Sequence, residues 1–163
     1  MRSTVTANAS HRPRIPGPIS SGAALLLVLA GACGPSVPPA NRPDEALRTQ
    51  LGLTDRDEVH RVTLTGGSTE VLDPVQTTVP VGAWVEFVTG DGRVHQVSFE
   101  ADSLGTEARA FLERTDQMAS PPLVNQGQRF VVSFRDAPEG RYPFRAEGNG
   151  GPTHGVVVVR PKR

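Results

Sequence analysis

Gly140-Arg-Tyr-Pro-Phe-Arg-Ala-Glu-Gly-Asn-Gly-Gly-Pro-Thr-His-Gly-Val-Val-Val-Val159 is the stretch on which the reading of the fold turns. Tyr142, Phe144 and Ala146 alternate with Pro143 and Arg145, the period of a half-buried strand. Gly155 opens a β-branched run that would close a sheet, and the glycine-rich residues between the two form a tight connection.

Upstream, the chain supplies matching pieces. From Val59 the period is two, with His60, Val62 and Leu64 on one face and Arg61, Thr63 and Thr65 on the other. Gly66 and Gly67 break this strand, and residues 75–79 form the second after Pro74. Pro80 and Gly82 turn the chain into Trp84-Val-Glu-Phe-Val-Thr89. On that strand Trp84 and Phe87 have opposite parity, so Phe87, with Val85, is expected to face the interior. Gly90-Asp-Gly92 tolerates positive φ and reverses the chain into residues 94–100, where His95 shares inward parity with Val97 and Phe99. Residues 106–115 read as a short helix with Thr106 as N-cap and Phe111 and Leu112 as buried contacts. Residues 128–134 return to strand, with Phe130, Val132 and Phe134 inward. Residues 44–51 read as one or two helical turns ended by Gly52, too short to persist without packing on the sheet. Short strands spaced by turn residues predict an all-β Greek-key sandwich of seven or eight strands with one or two short helices.

Taken together, the His95 strand, the pattern Thr78-Val-Pro-Val-Gly-Ala-Trp-Val-Glu-Phe-Val and the closing loop resemble the plastocyanin/azurin-like cupredoxins over residues 59–159. The resemblance implies a copper held by a His from an earlier strand and by a Cys, a His and a Met from the closing loop. His95 matches the first ligand. The Cys position carries Ala146, the loop His position carries Asn149, and the Met position falls on Thr153 or His154.

A blue copper centre needs a thiolate in a trigonal arrangement with two imidazoles. Ala146 has no donor atom, and the single cysteine, Cys33, lies far upstream. Imidazole is nevertheless a good Cu(II) ligand, so a residual copper site would use His95 and His154; Asn149 is a poor copper ligand and Glu147 has the opposite strand parity to Ala146. The preferred reading of His95 is instead a buried, neutral imidazole hydrogen-bonded to loop backbone, since burial disfavours its charged form. No His-x-x-x-His pair and no glycine-flanked nucleophilic serine is present, and Gly148-Asn-Gly-Gly151 lacks the Lys and Ser/Thr of a phosphate loop. The charges at Asp55-Arg-Asp-Glu58 read as a solvated turn. The expectation is therefore not an enzyme.

The first 32 residues carry Arg2, Arg12 and Arg14, no acidic residue, and the apolar run Ala23-Ala-Leu-Leu-Leu-Val-Leu-Ala30. That is the plan of a signal peptide, and Gly31-Ala-Cys33 resembles the bacterial lipobox, in which the thiol is diacylated and becomes the first residue. Residues 34–43 carry Pro35, Pro38, Pro39 and Pro43 and read as a semi-extended tether. The expected organisation is a lipoprotein signal peptide at 1–32, a tether at 33–43 and a cupredoxin-like domain at 44–163. Without the first 32 residues, 14 basic residues stand against 17 acidic ones, which gives no charge pattern for a nucleic acid. The function expected is that of an exported binding or structural module on the cell envelope, anchored to the membrane through Cys33, with an envelope protein as partner. The alternative is a copper-binding, electron-transfer protein of the plastocyanin type using His95 and His154.

Overall fold

The alternation read from the sequence becomes eight strands in two four-stranded sheets. The computed structural model describes residues 36–162, so the stretch read as a signal peptide, Cys33 and the first residues read as tether lie outside the described residues. The strands are β1 (Val59–Thr65), β2 (Val71–Asp73), β3 (Gln76–Pro80), β4 (Trp84–Thr89), β5 (His95–Phe99), β6 (Arg129–Ser133), β7 (Gly140–Gly148) and β8 (Thr153–Arg160). Two helices accompany them, α1 (Glu45–Leu51) and α2 (Thr106–Arg114). One sheet has the order β2-β1-β4-β6 and the other β3-β8-β7-β5, with β1 parallel to β4 and β3 parallel to β8. Non-consecutive neighbours in both sheets make this an all-β sandwich with crossed connections rather than a meander.

Inward parity builds the core. Val85 and Phe87 on β4, Val97 and Phe99 on β5, Val132 on β6 and Tyr142, Phe144 and Ala146 on β7 meet between the sheets, each 4% exposed or less. Phe87 stands edge-on to Phe144 at 5.0 Å between ring centres, as the face assignment from parity requires. The β-branched run Val156-Val-Val-Val159 forms half of β8, the strand between β3 and β7, and a strand with neighbours on both sides takes such a continuous run. Phe111, Leu112 and Ala108 dock α2 on the same core.

Trp84 has the opposite parity to Phe87 and packs outside the sandwich against Leu47, Leu53 and Val59. This second cluster holds α1, whose isolated helix would otherwise fray. Asp44 caps it by accepting from Leu47 N at 3.0 Å, and Gly52 ends it in the left-handed region at φ 67°. The Arg129 guanidinium, 2.6 Å from Asp44, holds that carboxyl down at about 2 against the opposing effect of burial. Arg61 and Arg129 also converge on the buried Glu86 of β4, so the outer face of this sheet carries a charged lattice beside the apolar cluster.

Several local expectations change. A short strand, β2, precedes the second predicted strand, because Val71–Asp73 pairs with Thr63–Thr65 before the cis Asp73-Pro74 bond redirects the chain into β3. Helix α2 is capped by Gly105 rather than Thr106, which is already helical, with no side-chain cap bond. Gly90 is not at positive φ; a Cβ there would press on Thr65 Oγ1 at 2.9 Å, so the position needs room rather than conformational freedom. Part of the stretch read as tether is folded: Pro39–Asn41 forms a 3-10 turn and Pro43 is buried.

Candidate functional site

His95 opens β5 and, as its parity predicts, its ring is wholly buried. Its backbone is held on both sides, by Gly148 of β7 and by an isolated two-bond bridge to Leu123. The ring is not bonded to loop backbone as expected. Nδ1 lies 2.5 Å from Glu70 Oε1, and Nε2 lies 2.8 Å from Asp91 Oδ1. Both ring nitrogens therefore end on carboxylates.

Asp91 belongs to the turn between β4 and β5, where its oxygens also accept from Arg93 N at 2.9 Å and Gly66 N at 2.8 Å. The Arg93 N–H, together with His95 and the Gly66 N–H, pulls this carboxyl down to about 2. An ionised carboxylate has no proton to give, so Nε2 is the donor in that bond. One proton then lies between His95 Nδ1 and Glu70 Oε1, and the pair is an imidazolium with a carboxylate or an imidazole with a carboxylic acid.

Glu70 ends the connection from β1 to β2 and is 2% exposed. The chain there is clasped to the β7–β8 loop. Glu70 N donates to Gly151 O at 2.7 Å, Gly151 N donates to Ser68 O at 2.9 Å, and the Thr153 hydroxyl donates to Glu70 O. Space for the carboxylate comes from Gly148, because a Cβ at that position would sit 2.8 Å from Glu70 Oε2 and 2.5 Å from Val94 O. Glu70 Oε2 is buried and has no hydrogen-bond partner among the described residues. Sequence reasoning did not single out Glu70, because no local pattern marks it and the pairing that engages it spans 25 residues.

The other candidate ligands do not join His95. Ala146 lies on the same inward face, paired with Val97 and Thr153, and offers only a methyl group. Asn149 is exposed in the loop. His154 pairs with Arg145, three residues along β7 from the partner of His95 and of opposite parity. That offset is about 10 Å along the strand. Its side chain is 64% exposed and its Nδ1 lies 2.5 Å from Glu100 Oε1. Glu147 is paired with Arg145 on the surface. Among the described residues the donor set of a type 1 copper is not assembled: Ala146 offers no thiolate, and the buried imidazole of His95 has both nitrogens engaged. Among the described residues, no group of three or more His, Cys, Asp or Glu side chains is placed to hold a metal ion.

No protein-family model matches the chain, and no curated protein matches it. Its neighbours among solved structures are cupredoxins. A purple cupredoxin from Nitrosopumilus maritimus is 22% identical, with 62% of this chain and 99% of that one covered at a TM-score of 0.43. An auracyanin from the photosynthetic bacterium Roseiflexus castenholzii is 18% identical, covering 63% and 97% at 0.43. A reduced Cu(I) form of an amicyanin variant is 21% identical, covering 75% and 95% at 0.44. No helix among the described residues is long and apolar enough to cross a membrane.

Proposed function

We propose that this is a non-enzymatic, cupredoxin-like module that works without type 1 copper, as a binding or structural domain on an extracytoplasmic membrane face. The observation that carries the reading is Ala146, fully buried on the inward face of β7 where the resemblance calls for a thiolate. A methyl group supplies no electron pair to a metal, and without the thiolate the centre has neither its strongest equatorial ligand nor its intense colour. The sequence of residues 23–33 supports export with a diacylated Cys33 as the membrane anchor, and two acyl chains hold a soluble domain firmly. An envelope protein is the partner such a module would serve.

The purified full-length protein in detergent, given one equivalent of Cu(II), should show no intense thiolate-to-copper band, and metal analysis after desalting should find no stoichiometric copper. A blue protein overturns the reading. For the anchor, Cys33→Ser should move the protein from the membrane to the soluble fraction; unchanged membrane partition would rule out lipidation at that residue.

A further inference from the structure

We infer that the domain does more than lack a metal ligand: Glu70 occupies the interior coordination side of His95, and the Glu70–His95–Asp91 chain takes over the cross-linking of the loops that a metal would perform. The inference rests on the reading above, that copper is not held here, and names the residue that fills its place. Three observations carry it. His95 has two ring nitrogens and both are spent, Nδ1 on Glu70 Oε1 at 2.5 Å and Nε2 on Asp91 Oδ1 at 2.8 Å. Of the two partners, Glu70 is the one facing inward. Its Oε2 reaches the space left by the absent side chain of Gly148, on the inward face of the strand that carries Ala146, and its carbonyl accepts from Thr153, the β8 partner of Ala146. Glu70 therefore stands against β7 at Gly148, two residues along the inward face from Ala146.

The second observation is Glu70 Oε2 itself, buried without a hydrogen-bond partner among the described residues. Leaving such an atom unpartnered is costly, and the group persists only where something else secures it. Here the security is the bond from Oε1 to His95 together with the backbone clasp to Gly151 and Thr153. The third observation is connectivity. Glu70 lies in the β1–β2 connection, Asp91 in the β4–β5 turn and His95 on β5, while Asp91 also reaches back to Gly66 N and Glu70 is bonded to the β7–β8 loop. The imidazole thus ties the β1–β2 connection to the β4–β5 turn, and the Glu70 backbone extends the chain of bonds to the β7–β8 loop. A metal ligated from the same loops would do the same work, and the two arrangements exclude each other, because a metal needs a lone pair of His95 that the chain already uses.

The test compares three full-length proteins in detergent with one equivalent of Cu(II): wild type, Ala146→Cys/Asn149→His, and the same pair with Glu70→Ala. The expected result is no charge-transfer band in the double variant and a band in the triple variant. A blue double variant overturns the inference, since Glu70 would then be no obstacle, while leaving the copper-free reading of the native chain intact. A folded triple variant that stays colourless overturns it as well. Stoichiometric copper in the wild type would instead defeat the underlying reading. Folding is covered by a second pair made without the new ligands. Glu70→Leu, which fills the volume but leaves His95 unpaired, should lower the thermal midpoint by about 10 °C, and Glu70→Gln, which keeps a hydrogen bond to the ring, by less than half of that. Equal midpoints for both variants and wild type would show that the chain is no cross-link.

Discussion

Replacing Phe87 by alanine tests the packing of the sandwich at its centre. The ring is wholly buried between the sheets, edge-on to Phe144 at 5.0 Å and roughly parallel to Phe130 at 6.1 Å. Truncation withdraws about 150 Å² of apolar surface from burial, which at roughly 25 cal/mol per Å² is about 4 kcal/mol. The same figure falls inside the range of about 3–5 kcal/mol found for emptying a buried aromatic site. The two ring contacts place the loss in the upper half of that range. Urea unfolding followed by the fluorescence of Trp84, the single tryptophan, reads the change directly, because that side chain lies on the opposite face of the same strand. The midpoint should fall with the slope unchanged, as a loss of stability without a change in the surface exposed requires. Val88→Ala, on the half-buried outer parity of β4, should cost no more than about 1.5 kcal/mol. A loss below about 1 kcal/mol for Phe87→Ala, or equal losses for both variants, would refute the assignment of faces.

Asp44→Ala should cost about 1 kcal/mol in the same melts through the lost N-cap of α1. Since Arg129 depresses the Asp44 carboxyl to about 2, its contribution is complete above the unfolded value near 4 and disappears as pH falls from about 4 to about 2; a wild-type stability curve flat across that window would contradict the pairing. Tyr142, the single tyrosine, is buried with its hydroxyl donating to Pro138 O at 2.7 Å, and burial pushes its pKa up to about 12. Ultraviolet titration of the folded protein should therefore show no tyrosinate at pH 10.5, and because the unfolded chain ionises near 10, stability should decline as pH rises above that value. Gly155→Ala would drive a Cβ into the ring of Phe144 and should destabilise by about 1–3 kcal/mol in denaturant melts; a neutral result would mean that the ring can move aside.

Parity carried most of the fold. Val85, Phe87, Val97, Phe99, Tyr142 and Phe144 were legible as inward because a strand alternates regardless of its partners. Helix α1 was legible from Asp44 and Gly52, but not the surface that receives it, since Leu47, Trp84 and Val131 meet only through the sheet. Strand β2 was missed because three residues hold too little pattern to register, and their pairing with Thr63–Thr65 is tertiary. At the candidate site the inward direction of His95 was legible, whereas its two carboxylate partners were not. Asp91 looked like a turn residue, which it also is, and Glu70 carried no local pattern that would single it out. His154, the second residue of the alternative copper reading, lies apart from His95, paired with Arg145 and largely exposed, which the unplaced gap in the loop hid from sequence.

Strand β8 has a consequence for the timing of folding. It is the last strand of the described chain, yet it lies inside its sheet, paired in parallel with β3 and antiparallel with β7. Neither of those neighbours can complete its ladder until residue 160 has been made. For β3, which ends at Pro80, that wait is roughly 4–16 s at 5–20 residues per second. The second sheet therefore forms only after synthesis of the domain, through a long-range closure that is slow by its topology. The sandwich therefore cannot close before β8 has been made, and a domain that closes late suits the export proposed above.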